Sequence, residues 1–354
     1  MKILTYYLPQ FYITPENEKY WGKGFTDWVN VRSARPLFCG HLQPIKPIND
    51  DYYDLSRYHT LQTHSDLSIK YGIDGFGYWH YWFGNGFKTL EKVQEMHLKH
   101  RSIKQNYFFA WANSDWTKSW RGDDKTVIFK QEYSKKSAFE HFEYLKRFFE
   151  DDRYIRINKR PIFQVLNPDA DGVDKYIQIL EDQAKLTFGR GLFWLFPAGR
   201  DISKLSNLVY SIVGFPPGDI TTNILKFKIQ RFFQKRKIIH KPIIISKSDY
   251  LKAFKKEILK VGKKSNFYPC LLAGWDNTPR YKNMGYLIDS DIPTLLEEQF
   301  KLLNTTYKNI NIDLLFVKAW NEWAEGNILE PYKANNYEYN PLEIIKVAKE
   351  NWNE

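Results

Sequence analysis

Two acidic side chains, Glu322 and Glu325, stand three positions apart in the run Trp320-Asn321-Glu322-Trp323-Ala324-Glu325-Gly326. If that run turns helically, the spacing puts both carboxyls on one face, with Cβ atoms roughly 5–6 Å apart. Carboxyls so close do not ionise independently: one is pushed toward its protonated form and can donate a proton while the other remains a base. Making or breaking a glycosidic bond needs that division of labour. Acids three apart also occur on solvated helices, so the weight of the reading falls on the residues around them.

Those residues are aromatic and planar-polar, and they recur in blocks: Tyr7, Gln10 and Phe11; Tyr78 to Phe83; Trp111, Asn113, Asp115 and Trp116; Trp275, Asp276, Asn277 and Arg280; and Trp320 to Glu325. A sugar ring stacks its C–H faces on flat aromatic surfaces and bonds its hydroxyls to amides, carboxylates and guanidinium groups. The site expected from the sequence therefore has Glu322 and Glu325 as catalytic residues. Its substrate-binding residues are Tyr7, Gln10, Tyr78, His80, Trp82, Trp111, Asn113, Trp116, Trp275, Asp276, Arg280 and Asn321. No metal and no cofactor are expected. His97 and His100 read as solvent-facing residues of a basic helix, and Asp50-Asp51 and Asp123-Asp124 as turn residues. No phosphate loop, dinucleotide fingerprint or nucleophile elbow is present.

Such blocks need elements to hold them. Short apolar runs near 3–8, 75–79, 107–112, 161–166, 192–197, 208–214, 268–274 and 314–320 read as strands. Segments 138–149, 173–186, 250–261 and 294–307 carry apolar residues three and four apart and read as helices. Strands alternating with helices imply a parallel sheet, and eight repeats imply an α/β fold of the (β/α)8 TIM-barrel type. Each polar-aromatic block then follows a strand, where the active sites of such barrels lie. Trp79, Trp82, Trp111, Trp116, Trp275 and Trp320, six of the twelve tryptophans, fall on that expected rim. The first crossover, from about 10 to 70, is long and shows little periodicity, which predicts a loop insertion over the barrel mouth. The connection between the fifth and sixth strands must be minimal. The whole chain, 1–354, reads as one catalytic domain.

Composition narrows the class. The chain has 354 residues, 43% hydrophobic, 26% charged and 17% aromatic, a balance that excludes disorder, collagen and coiled coil. Two cysteines, Cys39 and Cys270, support neither a disulfide framework nor a cysteine metal site. Residues 226–264 hold fourteen Lys or Arg against Asp249 and Glu257, a charge of +12 that leaves −1 for the rest of a chain whose net charge is +11. Charge so localised argues for one cationic face rather than a nucleic-acid-coating protein, so no nucleic-acid partner is expected. Apolar residues interleave with the cations there, a pattern suited either to a solvated outer helix or to peripheral association with an anionic membrane. The first residues begin like a signal peptide, but Pro9 and Gln10 interrupt the apolar run and no small-residue cleavage site follows, so the segment reads as a strand. The expected location is the cytoplasm, with the inner face of the plasma membrane as the alternative.

Several of these segments together resemble a known family. Tyr6-Tyr7-Leu8-Pro9-Gln10-Phe11, Trp21-Gly22-Lys23-Gly24-Phe25-Thr26-Asp27-Trp28, Tyr78-Trp79-His80-Tyr81-Trp82-Phe83, Trp111-Ala112-Asn113, Trp275-Asp276-Asn277-Thr278-Pro279-Arg280 and Ala319 to Gly326 resemble the WbsX family of bacterial surface-polysaccharide proteins. That family is similar in turn to glycoside hydrolase family 99, the endo-α-mannosidase and endo-mannanase group. The resemblance implies a metal-independent (β/α)8 barrel. Through the Asn-Glu-Trp-x-Glu match at Asn321 to Glu325, it implies that Glu322 removes the proton of the sugar 2-hydroxyl so that this oxygen attacks the anomeric carbon. Glu325 would protonate the leaving oxygen and then activate the acceptor, with retention of configuration. The expected activity is retaining glycosyl transfer in the biosynthesis of O-antigen or capsule, on an oligosaccharide or lipid-linked glycan. The alternatives are an endo-acting hydrolase of family 99 type and a catalytically silent glycan-binding protein.

Overall fold

The eight apolar runs form eight parallel strands. A computed structural model of the chain describes residues 1–118, 123–261, 266–307 and 312–352. The strands are β1 (Lys2–Tyr7), β2 (Gly75–Gly84), β3 (Tyr107–Trp111), β4 (Arg160–Val165), β5 (Phe193–Pro197), β6 (Tyr210–Val213), β7 in two pieces (Phe267–Tyr268 and Cys270–Leu272) and β8 (Leu314–Lys318). Each pairs with its sequence neighbour, and β8 pairs with β1 through Lys2↔Leu314 to Thr5↔Val317. The ring closes at β7. Its first piece pairs with β6 and its second with β8, and the change of partner falls at Pro269, which has no N–H to give a ladder.

Helices cover the strands, as an all-parallel sheet requires. They are α1 (Pro15–Trp21), α2 (Trp28–Ser33) and α3 (Tyr58–Lys70) before β2; α4 (Lys92–Lys99), α5 (Lys135–Phe149) and α6 (Val173–Phe188) before β3, β4 and β5; α7 (Gly218–Thr221), α8 (Leu225–Lys235) and α9 (Lys247–Val261) before β7; α10 (Thr278–Tyr281) and α11 (Ile292–Thr306) before β8; and α12 (Pro341–Trp352) after it. Side-chain caps fix several starts. Ser134 accepts from the Ser137 N–H at α5, and Asp291 accepts from the Thr294 N–H at α11. The β5–β6 connection holds a single 3₁₀ turn, Ser203–Leu205, in keeping with its short length.

The first crossover differs from the loop that its weak periodicity suggests. It contains the thirteen-residue helix α3, which buries His64, Ser65 and Ser68 beside Leu61. A helix that turns polar residues inward shows no apolar stripe in the sequence. Asp123-Asp124 also departs from a turn, since these residues open the strand Asp123–Phe129; their side chains lie outside the described residues.

The strand pleat decides which side chains enter the barrel. Tyr6, Trp79, Phe108 and Phe316 point inward: the Tyr6 ring stacks on Trp79 at 4.9 Å, lies 5.9 Å from Phe316 and meets Phe108 edge-on at 6.2 Å. The Tyr6 hydroxyl donates to Gln164 Oε1 at 2.8 Å. This ring cluster has room because β2 offers Gly77 opposite Phe108; a Cβ at Gly77 would lie 2.4 Å from the Phe108 ring. Gly77→Val is expected to destabilise the fold by about 1–3 kcal/mol through overpacking, read as a lower denaturant midpoint, with partial recovery in Gly77→Val/Phe108→Leu. An unchanged midpoint would show that the ring does not fill that space.

Candidate active site

The C-terminal end of the barrel strands is reached where β8 stops at Lys318. The next residues double back as a short antiparallel pair, Asn321↔Ile328 and Glu322↔Asn327, around the 3₁₀ turn Trp323–Glu325. Gly326 completes the turn at φ +57, where its missing side chain also lets the Asp276 backbone approach. The turn is thus tighter than the helix considered from the spacing, yet Glu322 and Glu325 still converge, because one cation holds both.

That cation is Arg280, in α10 after β7. Its Nη1 donates to Glu325 Oε1 at 2.6 Å, its Nη2 lies 3.7 Å from Glu322 Oε2, and the same Nη2 donates to Asp27 Oδ2. Asp27 is fully buried at the start of α2. The other oxygen of Glu322 accepts a 2.8 Å bond from the Trp79 indole N–H, on the inward face of β2. Lys318, nearly buried, sets its ammonium 4.4 Å from the centre of the Phe215 ring and 5.8 Å from that of Trp275. Burial, and then the neighbouring Glu325, push the Glu322 carboxyl up to about 7, while Arg280, Lys318 and the Trp79 bond oppose the rise. Burial alone would lower the Arg280 pKa, but Asp27, Glu325 and Glu322 outweigh it and keep the guanidinium charged. Glu322 is therefore poised to gain or lose a proton near neutrality, and Glu325 is the more exposed of the two, its side chain 17% accessible against 8%.

Of the residues expected to touch substrate, five lie on the outward pleat of β1, β2 and β3, behind the barrel wall. The Tyr7 hydroxyl pairs with His64 Nδ1 at 2.7 Å, that of Tyr78 with His97 Nδ1 at 2.8 Å, and His80 Nε2 with His141 Nε2 at 2.8 Å. The Trp82 indole donates to Ser137 Oγ, and the Trp111 indole to the Trp82 carbonyl. Each is spent on a partner between sheet and helices, so the substrate-contact reading of Tyr7, Tyr78, His80, Trp82 and Trp111 is corrected. His97 is likewise buried rather than solvent-facing. Burial drives His80 and His141 well below the usual histidine range, so both are neutral. The six rim tryptophans divide accordingly: Trp82, Trp111 and Trp320 face outward, and Trp79, Trp116 and Trp275 lie toward the mouth.

The remaining expected residues shape loops around the site. Asn321 clamps Leu8, accepting from its N–H at 2.7 Å and donating to its carbonyl at 3.0 Å. Asn113 ties the β3 and β4 loops by accepting from the Asn167 N–H and donating to its carbonyl. Asp276 accepts from His41 Nε2 and Gln43 Nε2, both at 2.8 Å, pinning the first insertion to the β7 loop. Trp116 stacks with Tyr81 at 5.6 Å on a hairpin above the rim, Gln10 is buried, and Arg280 holds carboxylates.

Asp27, Lys318, Phe215 and Asp219 are site residues that the sequence reading missed. Lys318 had a signal, as a lone cation ending an apolar strand at the catalytic end. Phe215 separates Lys318 from a cavity of about 450 Å³ lined by Asn167, Arg200, Asp219 and Asn223, which follow β4, β5 and β6, and by Glu257 of α9. Burial raises the Asp219 carboxyl to about 6. Among the described residues no cluster of His, Cys, Asp and Glu has the makings of a metal site.

The sequence profile of the family described as Glycosyltransferase WbsX matches residues 3–345. The uncharacterized protein WxcX of Xanthomonas campestris pv. campestris strain B100 is 26% identical over 344 residues, which are 93% of this chain and 47% of that protein. Its counterpart in strain ATCC 33913 gives the same figures. The chain spans about half the length of these curated relatives. Among solved structures, the GH99 endo-alpha-mannosidase from Bacteroides thetaiotaomicron, in complex with BIS-TRIS-Propane, superposes with a TM-score of 0.56 at 12% identity over 99% of this chain and 97% of that one. A glycoside hydrolase-like protein gives a TM-score of 0.60 at 11% identity, over 99% and 93%. At these identities the likeness establishes the (β/α)8 barrel.

The charge set makes a prediction about stability. Because the folded Glu322 holds its proton up to about pH 7, the folded state binds more protons than the unfolded chain between the ordinary glutamate range and neutrality. Stability falls as pH rises through that window. Glu322→Gln is expected to raise the melting temperature relative to the parent by roughly 1–4 °C more at pH 8 than at pH 5. Arg280→Met should do the reverse, losing about 3–5 kcal/mol and most at alkaline pH, since it strands buried carboxylates. Thermal melts at both pH values check the signs.

Proposed function

The chain belongs to the Glycosyltransferase WbsX family, and from that premise we propose that it is a retaining carbohydrate-active enzyme that uses Glu322 and Glu325 on a glycosidic linkage of a bacterial surface polysaccharide. The observation that carries the reading is the convergence of both glutamates on the one Arg280 guanidinium at the catalytic end of the barrel, with the Trp79 ring alongside. The whole chain, 1–354, is read as the catalytic unit.

In this reading Glu322 takes the proton of the sugar 2-hydroxyl. That oxygen bonds to the anomeric carbon as the bond to the leaving oxygen breaks, and Glu325 gives the leaving oxygen its proton. An acceptor hydroxyl then loses its proton to Glu325 and bonds to the anomeric carbon; the bond to the 2-oxygen opens, and that oxygen regains its proton from Glu322. Two inversions give retention. A carboxyl near 7 is a stronger base than an ordinary glutamate, which suits removal of a proton from a sugar hydroxyl. Trp79 orients it, and the cavity beyond Phe215 supplies room for further sugar units. The acceptor is a sugar hydroxyl of an oligosaccharide or lipid-linked glycan, in O-antigen or capsule assembly. Hydrolysis by the same pair, on an α-mannosidic linkage as the family 99 likeness suggests, differs only in taking water as acceptor. No described helix is long and apolar enough to cross a membrane.

One contact favours a second assignment of roles. Arg280 pairs with Glu325 at 2.6 Å but lies 3.7 Å from Glu322, whose carboxyl burial raises to about 7, an arrangement that would make Glu322 the proton donor instead. The pH profile separates the two. With Glu322 as the base, kcat/KM falls as pH drops through about 7; with Glu322 as the acid, it falls as pH rises through about 7. In either case Glu322→Gln and Glu325→Gln should each lower kcat by at least about 100-fold while glycan binding persists. Incubation with a lipid-linked oligosaccharide, with and without nucleotide sugars, reads extension against shortening. Full turnover in both variants would sink the catalytic reading.

A further inference from the structure

The basic segment resolves into one helix that packs poorly and one that packs well. In α9, Tyr250, Phe254 and Ile258 enter the core and its lysines face solvent, as on any outer barrel helix. Helix α8 is different. Only Phe227 and Gln234 are buried, while Leu225, Ile229, Phe232 and Phe233 are exposed at 70%, 50%, 50% and 38%. At roughly 100° per residue these four fall within an arc of about 100°. That arc lies opposite Phe227 and Gln234, so the apolar ridge points away from the protein. Lys226 borders it on one side and Lys228 and Lys235 on the other, all exposed. Arg236 lies on the ridge, its guanidinium 3.4 Å from the centre of the Phe232 ring. From Ile224 to Lys241 the chain carries seven Lys or Arg and no acid. Lys263 and Lys264, counted in the basic segment, lie outside the described residues.

The helix hangs on the loop that carries Arg280. Arg231 Nη1 donates to the Met284 carbonyl at 2.7 Å, Gln234 donates to the carbonyls of Asn283 and Gly285, and Phe227 packs on Tyr286 at 5.0 Å. Tyr286 in turn lies 5.5 Å from Trp275, beside Lys318.

We propose that the outward ridge of α8 seats on an anionic lipid bilayer and thereby turns the mouth of the barrel toward the membrane surface. Apolar side chains enter the acyl boundary while the flanking lysines pair with lipid phosphates, the arrangement of an interfacial helix. A nucleic acid would use the cations and leave the apolar ridge in water. A second copy would bring seven like charges against seven. The opposed charge and the apolar layer are found together at an anionic bilayer. The inference deepens the partner named under the proposed function without depending on the chemistry of the two glutamates, so its test needs no turnover.

The full chain is mixed with vesicles of phosphatidylglycerol and phosphatidylcholine, or of phosphatidylcholine alone, and sedimented. Binding is expected to the first only, weakened at least about threefold by raising salt from 0.1 to 0.5 M. Ile229→Asp/Phe232→Asp and Lys228→Glu/Lys235→Glu should each lower it at least about tenfold at unchanged melting temperature. Orientation is read with an environment-sensitive dye on Phe232→Cys or Leu186→Cys in a Cys39→Ser background. Leu186, exposed near the end of α6, lies toward the end of the barrel where β5 begins, away from the loop that carries Arg280. A blue shift with anionic vesicles confined to position 232 is expected. Equal binding of parent and variants, binding to an oligonucleotide but to no vesicle, a dimer abolished by Ile229→Asp/Phe232→Asp, or equal dye shifts at both positions would overturn the proposal.

Discussion

A single buried guanidinium organises the end of this barrel where its strands finish. Arg280 draws Asp27 from the first insertion and Glu322 and Glu325 from the turn after β8 onto its two terminal nitrogens. Neither side of this cluster is stable alone. Three carboxylates crowded under loops would repel and protonate, and a guanidinium with 7% of its side chain accessible would lack counter-charge. Lys318 adds a second cation from the barrel interior, held between aromatic rings instead of against an acid. Burial first, and then the neighbouring Glu325, raise Glu322, the more enclosed glutamate of the pair, to a titration near neutrality. The guanidinium that docks the three loops thus also limits how far the Glu322 carboxyl rises.

The outward aromatic residues also serve the site, from behind. Tyr7 pairs with His64, whose Nε2 lies 2.9 Å from Glu330 Oε1; the other Glu330 oxygen accepts from the Trp323 indole at 2.6 Å and from Tyr53 at 2.8 Å. Trp323 stands between the two glutamates in sequence. A chain of buried hydrogen bonds therefore runs from the rear of β1, through α3, to the turn that carries both glutamates.

The fold was legible because local pattern determines it: all eight strands are dense apolar runs, and the helices between them mostly show a clear apolar stripe. The side on which each residue faces was not. A strand buried on both surfaces is apolar throughout, so Tyr78 and Trp79 look equally fit for the lumen, and only the pleat separates them. The glutamate pair was readable because it lies within one short run. Its partners were not, because the Arg280 to Asp27 contact spans 253 positions and no local signal reports it. Helix α3 escaped notice for the complementary reason, that its inward residues are polar and occupied by hydrogen bonds.

The amide of Asn321, fastened to both backbone groups of Leu8, joins the beginning of the chain to the strand made near its end. During synthesis the ribosome releases Leu8 long before Asn321 and both glutamates emerge. A nascent polypeptide can fold α5 against α6, yet it cannot bring Glu322 and Glu325 onto Arg280 until the last strand slots in beside the first. Translation itself is in this way a timer: a truncated product lacks the meeting of Glu322 and Glu325 at Arg280.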